Sequence, residues 1–340
     1  MKLTHEIKTV HTRHPFVIAR GGSSEWRTVA VTVTDRDGAT GIGEAAPSRF
    51  YGENAESVVA ALDRFAPLLE GMHAWSLEAC ERELDKALRF NGAAKSAVSA
   101  ALHDLQAKRL GVPLHRMWGL DPALAPLSSY TIGITATRDE TIAKLREADE
   151  YPILKVKLGS PRDEEIIRTV REAAPDKVLR VDANAAWTPK HALRMIPLLQ
   201  ELGVEFVEQP LPPQDLEGTK FVRDRSTLPI VADESCIVAS DIPKLVGVVD
   251  GINIKLAKCG SLREALRMIA TARAHGMLVM CGCMIETTLG IAAAAHFASL
   301  LDCADLDGAA LLADDPYTGV SIAGGRIAFS GEAGLGVRPA

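Results

Sequence analysis

The sequence lacks the features that mark proteins of membranes, nucleic acids and export pathways. Its net charge is −6 and no run of lysine or arginine stands out, which argues against nucleic acid or an anionic membrane surface as a partner. The longest nearly apolar stretch, residues 289–301, is interrupted by His296 and is too short to span a bilayer. The polar N-terminus lacks the apolar segment of a signal peptide. We therefore expect a cytoplasmic protein.

Cysteine occurs six times, but none of its spacings is typical of a metal or redox site. Cys281 and Cys283 form the only close pair, and they lack the two-residue gap of CxxC motifs. They lie in the strand-like run MLVMCGC (277–283), an apolar setting in which buried thiols are common. The sequence therefore predicts reduced, buried cysteines.

The first third of the chain indicates a small α+β unit. Residues 26–35 are β-branched and roughly alternate in polarity, Asp37-Gly38 is typical of a turn, and residues 39–46 follow as a second strand. A sheet followed by helices favours one α+β domain, which we place at residues 1–125. Helical patterns, with apolar residues three and four positions apart, cover residues 54–69, 76–90 and 93–110.

From about Tyr130, short apolar strands alternate with helices. Eight such strands predict a (β/α)8 barrel, a modified form of the TIM barrel, over residues 126–315. An open doubly wound sheet is the competing topology, but no glycine-rich phosphate fingerprint follows the first strand. A short hairpin is predicted at residues 320–331, within a segment (316–340) that we expect to return to the N-terminal unit and complete the capping domain. The predicted strands are residues 129–134, 153–159, 178–184, 204–210, 229–235, 251–257, 277–283 and 304–309.

Three of these strands carry a carboxylate where they end. Asp182 ends VLRVD, Glu208 ends VEFVE and Asp233 ends PIVAD, each about one βα unit from the next. Because the carboxyl ends of parallel strands meet at the barrel mouth, we expect the three acids to converge there as oxygen ligands. Magnesium, one ion per subunit, fits best because it keeps positions for water and substrate oxygens. Each acid alone could instead cap the helix that follows, but three at matched positions favour a metal site.

Three lysines stand out in the apolar strands. Lys155 and Lys157 are two residues apart in ILKVKLG, so both point to the barrel interior if Val156 faces the helices. The pKa of a buried lysine falls from about 10.4 toward neutrality, and a second lysine acts in the same direction. Lys157 is therefore a candidate general base, assisted by Lys155. Lys255 holds the equivalent position in GINIKLA, about four strands further round the ring, which places it opposite Lys157. The alternative is that these lysines form only structural ion pairs with the acids.

The acids and the lysines complement each other chemically. Removing a proton from a carbon beside a carboxylate places a second negative charge on the substrate, and a divalent cation on the carboxylate oxygens offsets that charge as it forms. Lysines on opposite faces can remove the proton from one side and return it on the other. The sequence thus predicts an isomerase that acts at such a carbon.

Five short motifs carry a family resemblance. They are KVK (155–157), DAN (182–184), EQP (208–210), DES (233–235) and NIK (253–255), and in this order they resemble the muconate-lactonizing subgroup of the enolase superfamily. A lysine or histidine base beside magnesium is the pattern of that superfamily. The resemblance covers nearly the whole chain. It leaves the substrate open, because the subgroup contains cycloisomerases, o-succinylbenzoate synthases, N-acylamino acid racemases and dipeptide epimerases.

Two later segments resemble the dipeptide epimerases in particular. They are residues 282–298 and the Asp305-Leu306-Asp307 motif. In that family the two aspartates at the last strand hold the α-ammonium group of a dipeptide, and paired carboxylates do favour a cation. A DxD motif is also common in surface turns, and in other enzymes of the subgroup these aspartates would be structural. Further substrate contacts are expected from Asn184, Met284 and Glu286.

Two loops of the capping unit are expected to close over the barrel mouth. Residues 16–26 and 46–53 are similar to the family's specificity loops. Epimerases acting on L-Ala-D/L-Glu commonly use an arginine of the first loop to bind the glutamate side chain, and the matching position here holds Ser23. Tyr51 in the second loop is a further expected contact. The arginines that could replace the missing one, or lie in solvent, are Arg20, Arg27 and Arg49.

We therefore expect a magnesium-dependent dipeptide epimerase that inverts the α-carbon of the C-terminal residue. The resemblance favours the L-Ala-D/L-Glu class, which is used in recycling cell-wall peptides. The nearest alternative is another enzyme of the subgroup, and a non-catalytic metal-binding barrel is the alternative from a different class. The expected partner is a small dipeptide, and the Leu- and Ala-rich helices also permit a homo-oligomer.

Overall fold

The N-terminal part of the chain is a three-stranded antiparallel sheet in the computed structural model, which describes residues 1–340. A long strand that the sequence did not reveal comes first, β1 (Lys2–Ile18). The predicted hairpin follows as β2 (Gly21–Thr34) and β3 (Thr40–Ala45). Because β1 is an edge strand with many exposed side chains, its polar sequence carries little hydrophobic signal. Residues 16–26, expected as a loop, form the end of the β1–β2 hairpin.

Four helices follow the sheet, and the third of them links it to the rest of the molecule. Asn54 caps the first helix by accepting a hydrogen bond from the N–H of Ser57. The third helix is buried along nearly its whole length. Gly41 and Gly43 of β3 face it so closely that a Cβ atom at either position would collide with its backbone. The helices are α1 (Ala55–Glu70), α2 (Leu77–Ala87), α3 (Gly92–Arg109) and α4 (Leu114–Met117).

Eight parallel strands then form the predicted barrel. They are hydrogen-bonded to one another in chain order. The N–H of Ser129 donates to Ala304 O at 3.0 Å, which joins the beginning of the first strand to the last. Every predicted strand is present, and each is shorter than the run that predicted it. The strands are β4 (Tyr130–Ile132), β5 (Ile153–Lys157), β6 (Val178–Asp182), β7 (Val204–Glu208), β8 (Ile230–Ala232), β9 (Gly251–Ile254), β10 (Leu278–Gly282) and β11 (Cys303–Asp305).

Helices cover the barrel after most strands, with two departures from the expected alternation. Only short turns of helix follow β8, and a 3-10 turn at residues 309–311 follows β11. The segment after β11 packs against β1, so the N-terminal sheet covers the barrel there. None of the helices combines the length and the apolar character needed to cross a membrane. The helices are α5 (Arg138–Glu147), α6 (Asp163–Ala173), α7 (Pro189–Glu201), α8 (Leu216–Arg223), α9 (Ile242–Leu245), α10 (Leu256–Cys259), α11 (Leu262–Ala274) and α12 (Thr288–Ala295).

Side chains of the barrel strands alternate between the outside and the inside of the barrel, as β5 illustrates. Leu154 and Val156 of β5 belong to the core beneath the helices, whereas Lys155 and Lys157 point inward. Cys281 of β10 lies in the same outer core and, like the other five cysteines, is a free thiol. A second, separate cluster of buried apolar side chains lies mainly within the N-terminal unit. Inside the barrel, polar groups lie toward the ends of the strands, beside a small apolar cluster made by Phe206, Val231, Met280 and Cys303.

The C-terminal segment contacts both parts of the molecule. The predicted hairpin is present but packs on the barrel, where the N–H of Ser128 donates to Gly325 O at 2.8 Å. The chain returns to the N-terminal unit only after the hairpin, where the N–H of Leu335 donates to Asp104 Oδ1 of α3 at 2.7 Å. The strands are β12 (Tyr317–Thr318), which pairs with the last strand, β13 (Ser321–Ala323) and β14 (Arg326–Ala328), which form the hairpin, and β15 (Arg338–Pro339).

Candidate active site

Three carboxylates converge at the mouth of the barrel. Asp182 and Glu208 are the last residues of β6 and β7 and are direct neighbours in the sheet, and Asp233 follows the last residue of β8. Each offers one oxygen atom, and the three oxygens lie within 4.8 Å of one another. All three side chains are buried. The residues singled out as metal ligands are thus close enough to share one cation.

The protein stabilises the charges of this cluster unequally. Although burial opposes ionisation, Lys157 and Lys155 hold the pKa of Asp182 below its usual value. Burial, followed by repulsion from Asp182, raises the pKa of Glu208 to about 7. Glu208 is therefore the carboxylate of the three whose charged form the protein stabilises least.

Atoms around the cluster also suit a hydrated cation. Asn184 and Glu234, which lie just after two of the carboxylates, each have a buried oxygen (Oδ1 and Oε2) that accepts no hydrogen bond. Asn253 Nδ2 donates to Glu208 Oε1 at 2.8 Å and orients that carboxylate. Three carboxylates with further free oxygen acceptors are the donor set that magnesium prefers. The residues present therefore fit the predicted ion.

Two lysines flank the cluster. Lys157 ends β5, and its Nζ donates to Asp182 Oδ2 at 2.6 Å. Lys255 follows β9, four strands further round the eight-stranded ring, and its Nζ donates to Asp233 Oδ2 at 2.7 Å. Both lysines are buried. Each therefore reaches the cluster from its own side and pairs with a different carboxylate, while a catalytic role for either stays a prediction.

The third lysine, Lys155, is the centre of the ion-pair network. Its Nζ lies 2.7 Å from Glu208 Oε2, 2.8 Å from Asp305 Oδ2 and 3.3 Å from Asp182 Oδ2. The prediction that burial lowers the pKa of these lysines is wrong for two of them. Despite burial, nearby carboxylates raise the pKa of Lys155 and that of Lys255. Alternation along one strand indicates which way a lysine points, but it does not reveal the acids that neighbouring strands place around it.

The two aspartates of the DxD motif occupy different environments. Asp305 ends β11 and accepts hydrogen bonds from Lys155 Nζ at 2.8 Å and Ser129 Oγ at 2.6 Å, so its pKa is lowered despite burial. Asp307 lies beyond the strand and accepts the N–H of Thr131 at 2.6 Å. Burial, followed by repulsion from Asp305, raises the pKa of Asp307 to about 7. Asp307 forms no ion pair and is the freer of the two for an external cation.

Arg20 joins the first capping loop to the barrel mouth. It donates to the backbone oxygen of Asn184 at 2.7 Å and lies 2.8 Å from Glu234 Oε1. Its guanidinium group also lies over the ring of Phe50, 4.3 Å from the ring centre. Because the Glu234 side chain is almost fully buried, this ion pair fixes the arginine. Arg20 is therefore already engaged by the protein.

The other loop residues differ in what they can reach. Ser23 Oγ donates to a main-chain oxygen two residues further on, and Arg27 forms an exposed ion pair with a glutamate of α1. Both remain within the capping unit. Arg49 is exposed and forms no ion pair. Tyr51, two residues later, is close enough to Asp233 for that charge, after burial, to raise the pKa of its hydroxyl group. Of the arginines considered, Arg49 is the one left free.

Met284 and Glu286 lie where the barrel meets the capping unit. Glu286 is buried, accepts the N–H of Met284 at 2.8 Å, and has its pKa raised by burial to about 7, with Lys255 acting in the opposite direction. Met284 packs against the apolar cluster of the N-terminal unit. Glu44 of β3 reaches across and accepts the N–H of Thr287 at 2.9 Å. The Lys255 side of the mouth therefore borders the junction between the two units.

Some polar residues of the site were not singled out by the sequence. Glu234 and Asn253 lie inside the DES and NIK motifs, and alternation would have placed Asn253 inward, two residues before Lys255. Lys258 lies three residues after Lys255, in the apolar run LAKCG. Its only signal was a fourth lysine in apolar surroundings. Thr131 of the first barrel strand and Ser129 just before it gave no signal, because short polar residues are common throughout the chain.

Comparison with known proteins finds relatives over nearly the whole chain. A family model described as "Mandelate racemase / muconate lactonizing enzyme, N-terminal domain" matches residues 2–119, and one described as "Enolase C-terminal domain-like" matches residues 138–340. The L-Ala-D/L-Glu epimerase of Bacteroides thetaiotaomicron is 40% identical over 339 residues, which cover 99% of this chain and 88% of that protein.

Two solved structures are similar in both fold and sequence. The dipeptide epimerase from Enterococcus faecalis, complexed with Mg and the dipeptide L-Leu-L-Tyr, has a TM-score of 0.93 and 34% identity, with 99% of this chain and 98% of that chain covered. The substrate-liganded complex of the L-Ala-D/L-Glu epimerase from Bacillus subtilis has a TM-score of 0.93 and 33% identity, with 100% and 99% covered. Sequence and fold therefore point to the same group of proteins.

Proposed function

This chain belongs to the mandelate racemase/muconate lactonizing enzyme family of the enolase superfamily, and we propose that it is a magnesium-dependent dipeptide epimerase. The observation that carries the proposal is the pair Lys157 and Lys255, which reach one buried three-carboxylate cluster from opposite strands of the barrel. Similar structures hold Mg and a dipeptide, which supports both the ion and the substrate class. The proposed reaction inverts the α-carbon of the C-terminal residue.

The two lysines divide the proton transfer between them. With the α-carbon between Lys157 and Lys255, the neutral amine of one removes the α-proton and the ammonium of the other delivers a proton to the opposite face. Each lysine donates to a carboxylate, at 2.6 Å and 2.7 Å, and this contact orients its amino group. Either direction of inversion then uses the same two groups in exchanged roles.

The remaining residues hold the charges of the substrate. Asp182, Glu208 and Asp233 would bind the magnesium ion, which when bound neutralises negative charge that develops on the substrate carboxylate. Lys155 adds a fixed positive charge beside the same cluster. Asp307, with Asp305 beside it, would accept the substrate's α-ammonium group. This last contact separates a dipeptide substrate from an N-acylated amino acid, which has no ammonium group to bind.

The side chain of the C-terminal residue would lie toward the capping loops. L-Ala-D/L-Glu is the first candidate, and Arg49 is the free arginine that could bind its carboxylate. A dipeptide with an apolar C-terminal residue is the second candidate. Two observations support this second candidate. Arg20 is already bound to Glu234, and it lies over Phe50, a partly exposed aromatic ring on the same loop as Tyr51. We include a cytoplasmic location and a homo-oligomeric state in the proposal.

A dipeptide screen in D2O with magnesium tests the proposal. Wild-type enzyme should incorporate deuterium at the α-carbon of the C-terminal residue and interconvert the two epimers, and chelation of the metal should stop both. Asp307→Asn should raise KM for a dipeptide by about 10–100-fold, since a hydrogen bond to a charged group contributes about 1.5–3 kcal/mol. Absence of deuterium from every dipeptide would sink the epimerase proposal. Exchange of N-acylated amino acids instead would favour the racemase alternative.

A further inference from the structure

Lys258 is a fourth buried lysine at the site, and no part of the mechanism above uses it. It lies on α10, and its side chain is 0% exposed. Its Nζ lies 2.6 Å from Asp233 Oδ1 and 2.6 Å from the backbone oxygen of Asp233. It also reaches the backbone oxygens of Cys236 at 3.0 Å and Asn253 at 2.9 Å. A buried ammonium group is costly unless such partners surround it.

These contacts leave Asp233 with an ammonium group on each oxygen. Lys258 binds Oδ1, whereas Lys255 binds Oδ2 at 2.7 Å. A carboxylate held at both oxygens cannot rotate about its last bond without breaking an ion pair. The direction in which Asp233 presents its oxygens is thus set by Lys258, together with the position of the ammonium group of Lys255.

The helix that carries Lys258, α10, packs closely against α3. Gly92, the first residue of α3, lies so close to α10 that a Cβ atom there would be 2.5 Å from the backbone oxygens of Ala257 and Lys258. Gly260 ends α10 with a left-handed φ of 84°. The backbone at Lys258 is therefore fixed by packing as well as by its own hydrogen bonds.

We propose that Lys258 is a positioning residue that fixes the carboxylate of Asp233 and, through it, the ammonium group of Lys255. The inference rests on the proposed function, because it assigns Lys258 to the same metal site and to one of its two proton-transfer faces. Lys157 has no second lysine of this kind: the other oxygen of its partner Asp182 accepts the N–H of Asn184 at 2.8 Å, and Lys155 lies 3.3 Å from the oxygen that Lys157 already binds. Loss of Lys258 should therefore affect the Lys255 face more than the Lys157 face.

The test is Lys258→Met, compared with wild type and with Lys108→Met. Lys108 is the control because its loss also removes an ammonium group from a buried aspartate, Asp104 at 2.6 Å, away from the metal cluster. Magnesium affinity is measured by calorimetry without dipeptide. Deuterium exchange is then measured separately for the two epimers of the dipeptide that wild type uses best. Urea unfolding establishes that each variant is folded.

We expect Lys258→Met to weaken magnesium binding by about 10–100-fold, as loss of groups that orient metal ligands commonly does. Exchange should slow most for the epimer whose exchange Lys255→Ala abolishes. Unchanged or tighter magnesium binding, with both epimers slowed equally or not at all, would overturn the proposal. If the Met variant does not fold, Lys258→Gln replaces it, with a smaller loss of the same pattern expected and wild-type behaviour contradicting the role. If wild type itself neither binds magnesium nor exchanges, the proposed function fails, and the role of Lys258 fails with it.

Discussion

The two sides of the barrel mouth support their lysines differently. On the Lys157 side, the supporting groups are barrel residues: Asp182 from the next strand and Lys155 two residues earlier on the same strand. On the Lys255 side, Asp233 is held by Lys258 from α10, and α10 packs against α3 of the N-terminal unit. The ion pairs on the Lys157 side therefore lie within the barrel, whereas those on the Lys255 side also depend on a helix that packs against the N-terminal unit.

This difference shows what the capping unit contributes besides the loops over the mouth. Removal or displacement of α3 would leave the Lys157 side with all of its ion pairs, but it would free the backbone that carries Lys258. A two-base enzyme needs both faces in register with one α-carbon. We therefore expect changes at the junction to make the enzyme asymmetric, and changes within the barrel network to destabilise the protein as a whole.

The largest effect is expected from Lys155→Met, on the barrel side. Lys155 is 1% exposed, and its ammonium group forms ion pairs with the carboxylates of Glu208, Asp305 and Asp182. Its loss therefore leaves buried negative charge without this partner. The free energy of unfolding should fall by about 3–5 kcal/mol in urea unfolding. Lys86→Met, at an exposed ion pair, is the control and should change it by less than about 1 kcal/mol. A Lys155→Met protein as stable as the control would show that the ion pairs of Lys155 do not stabilise the Lys157 side of the barrel mouth.

The next effect concerns pH and the junction near Lys255. Glu44 is buried and accepts hydrogen bonds from the N–H and hydroxyl groups of Thr287, and burial raises its pKa from 4.5 to about 8. Between pH 4.5 and pH 8, Glu44 therefore keeps its proton in the folded protein but has lost it in the unfolded chain. Its contribution to the free energy of unfolding is present at low pH and is lost as the pH rises toward 8.

From this group alone, the free energy of unfolding should fall by on the order of 3 kcal/mol between pH 5 and pH 8. Glu44→Gln should remove that part of the pH dependence, as measured by urea unfolding at both values. The same pH dependence in the variant and in wild type would mean that Glu44 does not carry a proton at the junction.

The smallest effect on stability, but the sharpest test of asymmetry, is expected from Gly92→Ala. The added Cβ would meet the backbone of α10 at 2.5 Å, so α3 or α10 must shift, at a cost of about 1–3 kcal/mol. Proton exchange should slow for the epimer whose exchange Lys255→Ala abolishes, and it should stay near the wild-type rate for the other epimer. Gly71→Ala is the control, because a Cβ there meets no atom within 4 Å. Equal slowing of exchange for both epimers would contradict the claim that only the Lys255 side depends on the contact between α3 and α10.

Much of the barrel could be predicted from the sequence, because each strand can be recognised from its own few residues. Each strand is a short apolar run, and a carboxylate or lysine inside such a run marks the mouth, as Asp182 and Lys157 do. The edge strand β1 was missed because a half-exposed strand carries little hydrophobic signal. The raised pKa of Lys155 was missed because its cause lies on other strands, in Glu208 and Asp305. Lys258 was missed because its partners come together only when α10 packs.

The central claim is that Lys157 and Lys255 act on opposite faces of one α-carbon. The most direct test follows deuterium exchange by NMR, separately for the two epimers of the best dipeptide, in wild type and in Lys157→Ala and Lys255→Ala. We predict that each variant keeps exchange for one epimer only, that the retained epimer differs between the variants, and that epimerisation falls by about 10²–10⁴-fold in both. Loss of the same epimer's exchange in both variants, or retention of both, would contradict the account.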